Sequence, residues 1–271
     1  TKKIIETEFD CMVKASRKKI NGELTDSWSV FGVNEYIEVD TSYGPINALK
    51  LFNDNLHFFQ DKSNGILSVN ERSLINDKST AQLVLGTGGV LDRYQYISTQ
   101  SGSKDKFSIT TSLSGLYWYD RLSKSIYKFS NGLMNLSKAK YIQSYLGSTL
   151  DNEFKVLSYS DVQNDEILFT FYKESETNGF TISYNEPVDS FVSFYDFIPT
   201  LYIPYQHRYL TTTNAYYCDS SFNRNRIFLH ESDIWDRCYF YALTTGVAGN
   251  YVNSTLELIF NPEYNYTKVF D

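Results

Sequence analysis

The chain has 271 residues with a formal net charge of −7, and 17% of its residues are aromatic. Single all-β domains commonly reach this length, and the 23 Tyr and 19 Phe favour half-buried strands over helices. The acidic balance disfavours nucleic-acid binding through phosphate contacts, and no apolar run reaches the roughly 20 residues that span a bilayer. We therefore expect no membrane partner and no sequence-specific nucleic-acid partner.

Residues 1–45 form the first predicted unit, an N-terminal β segment. Alternating apolar and polar side chains predict strands at residues 9–13, 28–31 and 36–39, with a hairpin turn at Asn21-Gly22. A basic cluster precedes this turn at Lys14, Arg17, Lys18 and Lys19. We interpret the cluster as a solvated strand end, and phosphate binding is the alternative.

A repeated phrase organises the second predicted unit, residues 46–271. Each copy has an aromatic-rich strand, a turn that begins at Gln60, Asp120, Asp161 or Asp219, and a second strand six to eight residues later. Hairpins repeated in this way predict an all-β, β-propeller-like fold of antiparallel sheets with at most one or two short helices. Because Asp can accept backbone N–H bonds at the start of a turn, these residues favour a structural role over catalysis.

Other signals set the expected element boundaries between the copies. Residues 63–65 predict the first turn, and the glycine-rich residues 86–89 predict an inter-strand turn, with phosphate binding as the alternative. Apolar residues at 3/4 spacing predict a helix within residues 135–150 that stops at Gly147. Residues 156–195 hold four strand patterns and predict a complete four-stranded sheet.

The chain carries no motif that assigns a reaction. HExxH, GxSxG, Walker and dinucleotide-binding patterns are absent from the sequence, and its acidic clusters lack calcium-binding spacing. The histidines and cysteines are scattered, at His57, His207, His230, Cys11, Cys218 and Cys238. Their spacing fits neither a zinc site nor a disulfide framework. We predict no catalytic residue, cofactor or metal ligand, and a glycosidase with two facing carboxylates is the enzymatic alternative.

Exposed aromatic rings are the predicted means of contact with other proteins. Rings in the long connections are the candidate partner contacts, at Tyr202, Tyr205, Trp235 and Tyr239. Alternation alone does not separate an outer sheet face from an inner one. Ordinary packing between sheets is therefore the alternative at each of these positions.

Several phrases of the chain form a recognisable set, at residues 67–72, 85–91, 115–121, 125–127, 181–186, 189–195, 260–263 and 267–271. Together they resemble the tail stabilisation or muzzle proteins of crAss-like bacteriophages, which are virion structural proteins. The resemblance covers most of residues 46–271. It implies a propeller-containing, non-enzymatic part of the phage tail or portal vertex that assembles with copies of itself and with neighbouring tail proteins.

Two other functions fit the same residues. A tail component that binds or hydrolyses host-surface glycans would use the same exposed rings, and a secreted or periplasmic bacterial propeller would have a signal sequence upstream. The first residue is Thr, and residues 266–271 resemble the start of a strand. We therefore expect a piece of a longer polypeptide, although a trimmed chain would look the same.

Overall fold

The structure, a computed structural model, describes most of the chain. The described residues are 9–17, 19, 22, 24, 26–33, 35–69, 73–76, 82–85, 90–173, 179–195, 197–213, 227–230, 239–240 and 250–251. They contain 21 strands and two short α-helices. The predicted all-β class is therefore confirmed.

The elements follow one another in this order. The strands are β1 (Met12–Lys14), β2 (Tyr36–Glu38), β3 (Ile46–Phe52), β4 (Asn55–Gln60), β5 (Asn64–Val69), β6 (Ser73–Asn76), β7 (Gln82–Leu85), β8 (Leu91–Ser98), β9 (Thr110–Thr111), β10 (Leu116–Asp120), β11 (Ser125–Phe129), β12 (Leu133–Asn135), β13 (Lys155–Asp161), β14 (Glu166–Tyr172), β15 (Gly179–Asn185), β16 (Ser190–Tyr195), β17 (Pro199–Tyr205), β18 (Arg208–Thr213), β19 (Ile227–Leu229), β20 (Tyr239–Phe240) and β21 (Asn250–Tyr251). The helices are α1 (Leu136–Ala139) and α2 (Gln143–Thr149).

Most strands belong to four antiparallel sheets that succeed one another along the chain. Sheet 1 has the strand order β3-β4-β5-β8, sheet 2 has β9-β10-β11-β12, sheet 3 has β13-β14-β15-β16, and sheet 4 has β17-β18-β19. The pairs β1-β2, β6-β7 and β20-β21 form separate two-stranded sheets. Sheet 3 confirms the four-stranded sheet predicted within residues 156–195.

The sheets stack because their central strands bury both faces. Every residue of β10 is buried. Since side chains alternate along a strand, Trp118 packs towards sheet 1, whereas Tyr117 and Tyr119 pack towards sheet 3. In β14, Leu168 packs towards sheet 4 and Phe169 towards sheet 2. The central strands β10 and β14 thus each have a neighbouring sheet on both sides, although β10 is the first strand of its copy of the repeated phrase and β14 is the second strand of its copy.

The order of the sheets is consistent with propeller blades. β13 contacts both β9 and β17, so the first strands of three consecutive sheets are neighbours, as they are around a propeller axis. Ring pairs bridge successive sheets at Phe59–Trp118, Tyr119–Phe171 and Tyr159–Tyr202, with centroid separations of 5.2, 5.3 and 5.4 Å. A closed ring of blades stays a prediction.

The N-terminal residues cover the outer face of sheet 1. Cys11, Val13 and Val39 pack with Phe58 and Leu67 in one buried cluster. Sheet 1 therefore has apolar neighbours on both faces, as sheets 2 and 3 do. The domain boundary expected at residue 45 stays a prediction.

Local expectations from the sequence are wrong at residues 28–31 and at residues 63–65. Residues 28–31 are not a strand, because Ser27–Ser29 form a 3-10 helix in which Trp28 is exposed. Residues 63–65 are not the turn, because Gly65 lies inside β5. A Cβ atom at Gly65 would lie 2.5 Å from both the Gln95 carbonyl oxygen and the Phe58 ring. Glycine permits this close approach and does not reverse the chain there.

The helix predicted within residues 135–150 is interrupted. α1 ends at Ala139, Tyr141 has a φ angle of 60°, and α2 then runs to Thr149. Gly147 lies inside α2, so the predicted stop at this residue is wrong. The break forms at a tyrosine, and propensity gives no signal for a left-handed conformation at that residue type.

Candidate functional surfaces

The Asp residues of the repeated phrase stabilise their own turns. Asp120 accepts hydrogen bonds from the Leu122 N–H at 3.0 Å and from Ser123 Oγ at 2.7 Å. Asp161 accepts one from the Gln163 N–H at 3.0 Å. Burial raises the pKa of Asp120, and the hydrogen bonds from Ser123 and Leu122 oppose that rise. The predicted turn role is confirmed at both positions.

Gln60 replaces Asp in the first copy and makes different contacts. Its Nε2 donates to the carbonyl oxygens of Asp40 at 2.9 Å and Gly44 at 2.6 Å. Its Oε1 accepts from Ser63 Oγ at 2.8 Å and from the Tyr96 hydroxyl at 2.9 Å. All four hydrogen-bonding positions of this buried amide are filled. The hydrogen bonds of Gln60 therefore link sheet 1 to the residues that precede β3.

Arg121 links sheet 2 to the chain that enters sheet 3. Its guanidinium forms a two-pronged ion pair with Asp105, at 3.1 Å from Nε and 2.6 Å from Nη2. It also donates to the carbonyl oxygens of Asn152 at 2.6 Å and Phe154 at 2.8 Å. Only arginine has a planar fork that satisfies a carboxylate and two carbonyls together.

Glu186 makes a second polar link between sheets 2 and 3. Its Oε1 accepts hydrogen bonds from Ser112 Oγ, Ser114 Oγ and the Tyr117 hydroxyl, the last at 2.7 Å. Ser112 and Ser114 precede β10, Tyr117 lies within it, and Glu186 directly follows β15. Burial raises the pKa of Tyr117, so its hydroxyl stays a donor across the physiological range. The sequence carries no signal for this cluster, because its members lie far apart along the chain.

Two histidines, the buried His57 and the half-buried His230, take part in packing. His57 lies 5.4 Å from the Phe129 ring, and burial lowers its pKa. His230 stacks on Tyr209 at 4.5 Å, its Nε2 lies 2.7 Å from Thr211 Oγ1, and burial lowers its pKa to about 4. Within the described part of the chain, no three His, Cys, Asp or Glu side chains are grouped closely enough to hold a metal ion. No helix among the same residues has the length and apolar character to cross a membrane.

Two of the four candidate partner contacts have described side chains. Tyr202 packs between sheets 3 and 4, where it stacks on Tyr159 and its hydroxyl lies 2.6 Å from Thr170 Oγ1. Tyr202 therefore has the role given above as the alternative to partner contact, which is ordinary packing between sheets. Tyr205, at the end of β17, is 48% exposed, and its contact with another protein stays a prediction.

The other two candidates lack described side chains. Trp235 lies outside the described residues, and Tyr239 begins β20, of which the structure describes the backbone. Asp219 and the glycine-rich residues 86–89 also lie outside the described residues. The roles expected for all of these residues stay predictions.

An exposed aromatic patch lies where α2 meets the edge of sheet 3. The rings of Tyr145, Phe180 and Phe194 are mutual neighbours, with centroids 5.6, 5.4 and 6.2 Å apart. Phe194 is 58% exposed and belongs to β16, the edge strand of the sheet. We call these three residues the rim patch. The alternation of apolar and polar side chains in residues 190–195 indicated a strand with one apolar face. The sequence does not show which face of the strand is covered by other residues.

Tyr141 is a second exposed ring, held in an unfavourable backbone conformation. The Ile142 N–H donates to the Ser137 carbonyl at 3.0 Å, and the Tyr141 N–H to the Lys138 carbonyl at 3.4 Å. These bonds define a Schellman motif, whose left-handed position is usually glycine. Here that position holds a tyrosine that is 93% exposed. Residues kept in such conformations are concentrated at functional sites.

Two comparisons place the chain among known proteins. The family described as Crassvirus muzzle protein has a sequence model that matches residues 1–215. The muzzle protein of Bacteroides phage crAss001 is 24% identical over 203 residues, which are 72% of this chain and 14% of that relative. The chain thus spans a small part of the relative's length. The family match includes residues 1–45, which the resembling phrases did not cover, and ends before residues 260–271.

Proposed function

The chain belongs to the Crassvirus muzzle protein family, and we propose on this basis that it is a non-enzymatic structural protein of a bacteriophage virion. Its place is the tail or portal vertex, where it packs against copies of itself and against neighbouring tail proteins. The chain matches 14% of its relative's length. The activity and partners of the whole protein are therefore part of this proposal.

The family match carries the proposal, and the arrangement of polar groups supports it. Two charged residues between sheets 2 and 3, Arg121 and Glu186, each bind several groups of the protein itself. Asp120 and Glu166 have pKa values raised by burial. Asp120 is engaged in its own turn, and Glu166 accepts a hydrogen bond from the Tyr195 hydroxyl at 3.0 Å. Groups used in this way make a rigid scaffold.

Exposed aromatic residues supply the contacts with neighbouring proteins in this proposal. Tyrosine and other large rings contribute much of the binding energy at protein interfaces when they enter pockets on a partner. Three exposed rings are available for such contacts, at Tyr205, Tyr141 and the rim patch residue Phe194. Trp235 and Tyr239 remain candidates from the sequence.

Protein composition of purified phage particles tests the proposed function. We expect peptides of this chain to appear in gradient-purified particles at a constant ratio to the capsid protein, before and after washing in high salt. A chain that is found in the lysate and not in particles would contradict the virion role. Reproducible hydrolysis of a glycan by the isolated chain would contradict the non-enzymatic part of the proposal.

A further inference from the structure

The sequence Ser-Asn-Gly occurs twice in the chain, each time followed by a branched aliphatic residue. It lies at residues 63–66, where the last residue is Ile, and at residues 130–133, where the last residue is Leu. An asparagine that precedes glycine is prone to spontaneous loss of its side-chain amide, because glycine has no Cβ to shield its backbone nitrogen. The two copies should react at similar rates in an unfolded chain. A difference between them in the folded chain therefore comes from the structure.

The first copy is held inside β5. Asn64 is 1% exposed, and its Nδ2 donates to the Ser101 carbonyl oxygen at 2.7 Å and to Ser101 Oγ at 3.1 Å. Gly65 pairs with β4 on one side and with β8 on the other. Loss of the amide requires the side chain of Asn64 to turn onto the Gly65 nitrogen. That movement would break the contacts of both residues, so this copy is protected.

The second copy spans the turn between β11 and β12. Asn131 and Gly132 are both exposed, and a Cβ atom added at Gly132 would have no atom within 4 Å. The Gly132 carbonyl oxygen accepts a hydrogen bond from the Ser130 N–H at 3.2 Å. Among the residues that the structure describes, neither the Asn131 side chain nor the Gly132 N–H has a hydrogen-bond partner. The Asn131 side chain is thus free to approach the next backbone nitrogen.

We propose that Asn131 is a site of spontaneous deamidation. The Gly132 nitrogen attacks Cγ of Asn131, and a five-membered succinimide ring forms. The side-chain nitrogen leaves as ammonia and takes the proton of the Gly132 N–H with it. Water then opens the ring at one of its two carbonyl carbons, which gives aspartate or isoaspartate and adds one negative charge at the hairpin tip. The reaction consumes only water, and the inference does not depend on the proposed virion role.

Peptide mapping of the full chain by mass spectrometry tests this inference. The chain is incubated at neutral pH in water enriched in the heavy isotope of oxygen, so that ring opening during the incubation labels the product. We expect Asn131 to convert at least about tenfold faster than Asn64, because a residue in a core strand reacts only after local unfolding. In concentrated urea the two rates should become similar. No conversion at Asn131, equal rates at both sites in the folded chain, or a difference that persists in urea overturns the inference.

Two variants of the second copy test the attack by the Gly132 nitrogen. Gly132→Ala should slow conversion at Asn131 at least about tenfold, because the added Cβ shields the nitrogen. The open space at Gly132 accommodates this methyl group. Leu133→Ala, a control at the exposed neighbour of the glycine, should leave the rate close to that of the unchanged chain. Conversion in Gly132→Ala that is as fast as in Leu133→Ala overturns the inference.

Discussion

Replacing Arg121 by alanine should lower the stability of the chain more than a surface substitution does. The change removes the ion pair with Asp105 and two hydrogen bonds to backbone carbonyls. Breaking a fully buried pair costs about 3–5 kcal/mol because the remaining charge is left uncompensated. The side chains of Arg121 and Asp105 are 21% and 13% exposed, so water compensates part of this loss. We therefore expect the free energy of unfolding to fall by about 2–3 kcal/mol.

Urea denaturation followed by tryptophan fluorescence measures this change. Arg121→Lys keeps the positive charge but lacks the planar guanidinium fork. It should therefore recover less than half of the free energy of unfolding that Arg121→Ala loses. Asp105→Ala removes the carboxylate that Arg121→Ala leaves behind. The double variant should then be more stable than the sum of the single effects implies, with a coupling of about 1–2 kcal/mol. A loss below about 0.5 kcal/mol for Arg121→Ala, the range of surface substitutions, would refute the proposed link between sheets 2 and 3. Additive effects in the double variant would refute the contribution of the ion pair with Asp105.

Three other perturbations have defined outcomes. Burial lowers the pKa of His230 to about 4 from 6.5, so the folded state prefers the neutral ring. The contribution of His230 to the free energy of unfolding should be fully present above about pH 6.5, and it should fall by at most about 3 kcal/mol as the pH decreases towards 4. Denaturation curves measured across this pH range should show that His230→Gln removes most of the pH dependence. Tyr141→Gly should raise the free energy of unfolding by about 0.5–1 kcal/mol because glycine relieves the left-handed strain, whereas Tyr141→Ala should not; equal effects would remove strain as the cause. Phe194→Glu should reduce incorporation of the chain into particles, whereas Leu113→Glu, at a more exposed apolar residue outside the rim patch, should not. Similar incorporation of both variants would show that the rim patch does not contact a neighbouring protein in the particle.

The all-β class and the repeated hairpins could be predicted because they depend on local chemistry. In β10, apolar side chains at successive positions require a covered sheet on both faces, and the Asp120 turn needs only the residues that follow it. The break at Tyr141 could not be predicted, because packing of α1 and α2 overrides the preference of tyrosine against a left-handed conformation. Gly65 has a role only in relation to Gln95 on another strand, so its sequence neighbours suggested a turn instead.

The candidate surfaces were harder to predict than the fold. Tyr202 and Tyr205 lie on one strand, three residues apart, yet the first is packed between sheets and the second is exposed. Alternation places them on opposite faces, but only the arrangement of sheets decides which face meets water. The same limit applies to Arg121 and Glu186, whose partners come from distant parts of the chain. Contacts of this kind are a property of the tertiary structure.

Electron microscopy of intact phage particles tests the central claim most directly. We expect density at the tail or portal vertex that fits sheets 1 to 4 stacked face to face, with Phe194, Tyr141 or Tyr205 against another polypeptide. Density for the chain elsewhere in the particle would contradict the proposed location. Density that fits none of these stacked sheets, or that shows a substrate bound between converging carboxylates, would contradict a scaffold that acts by packing.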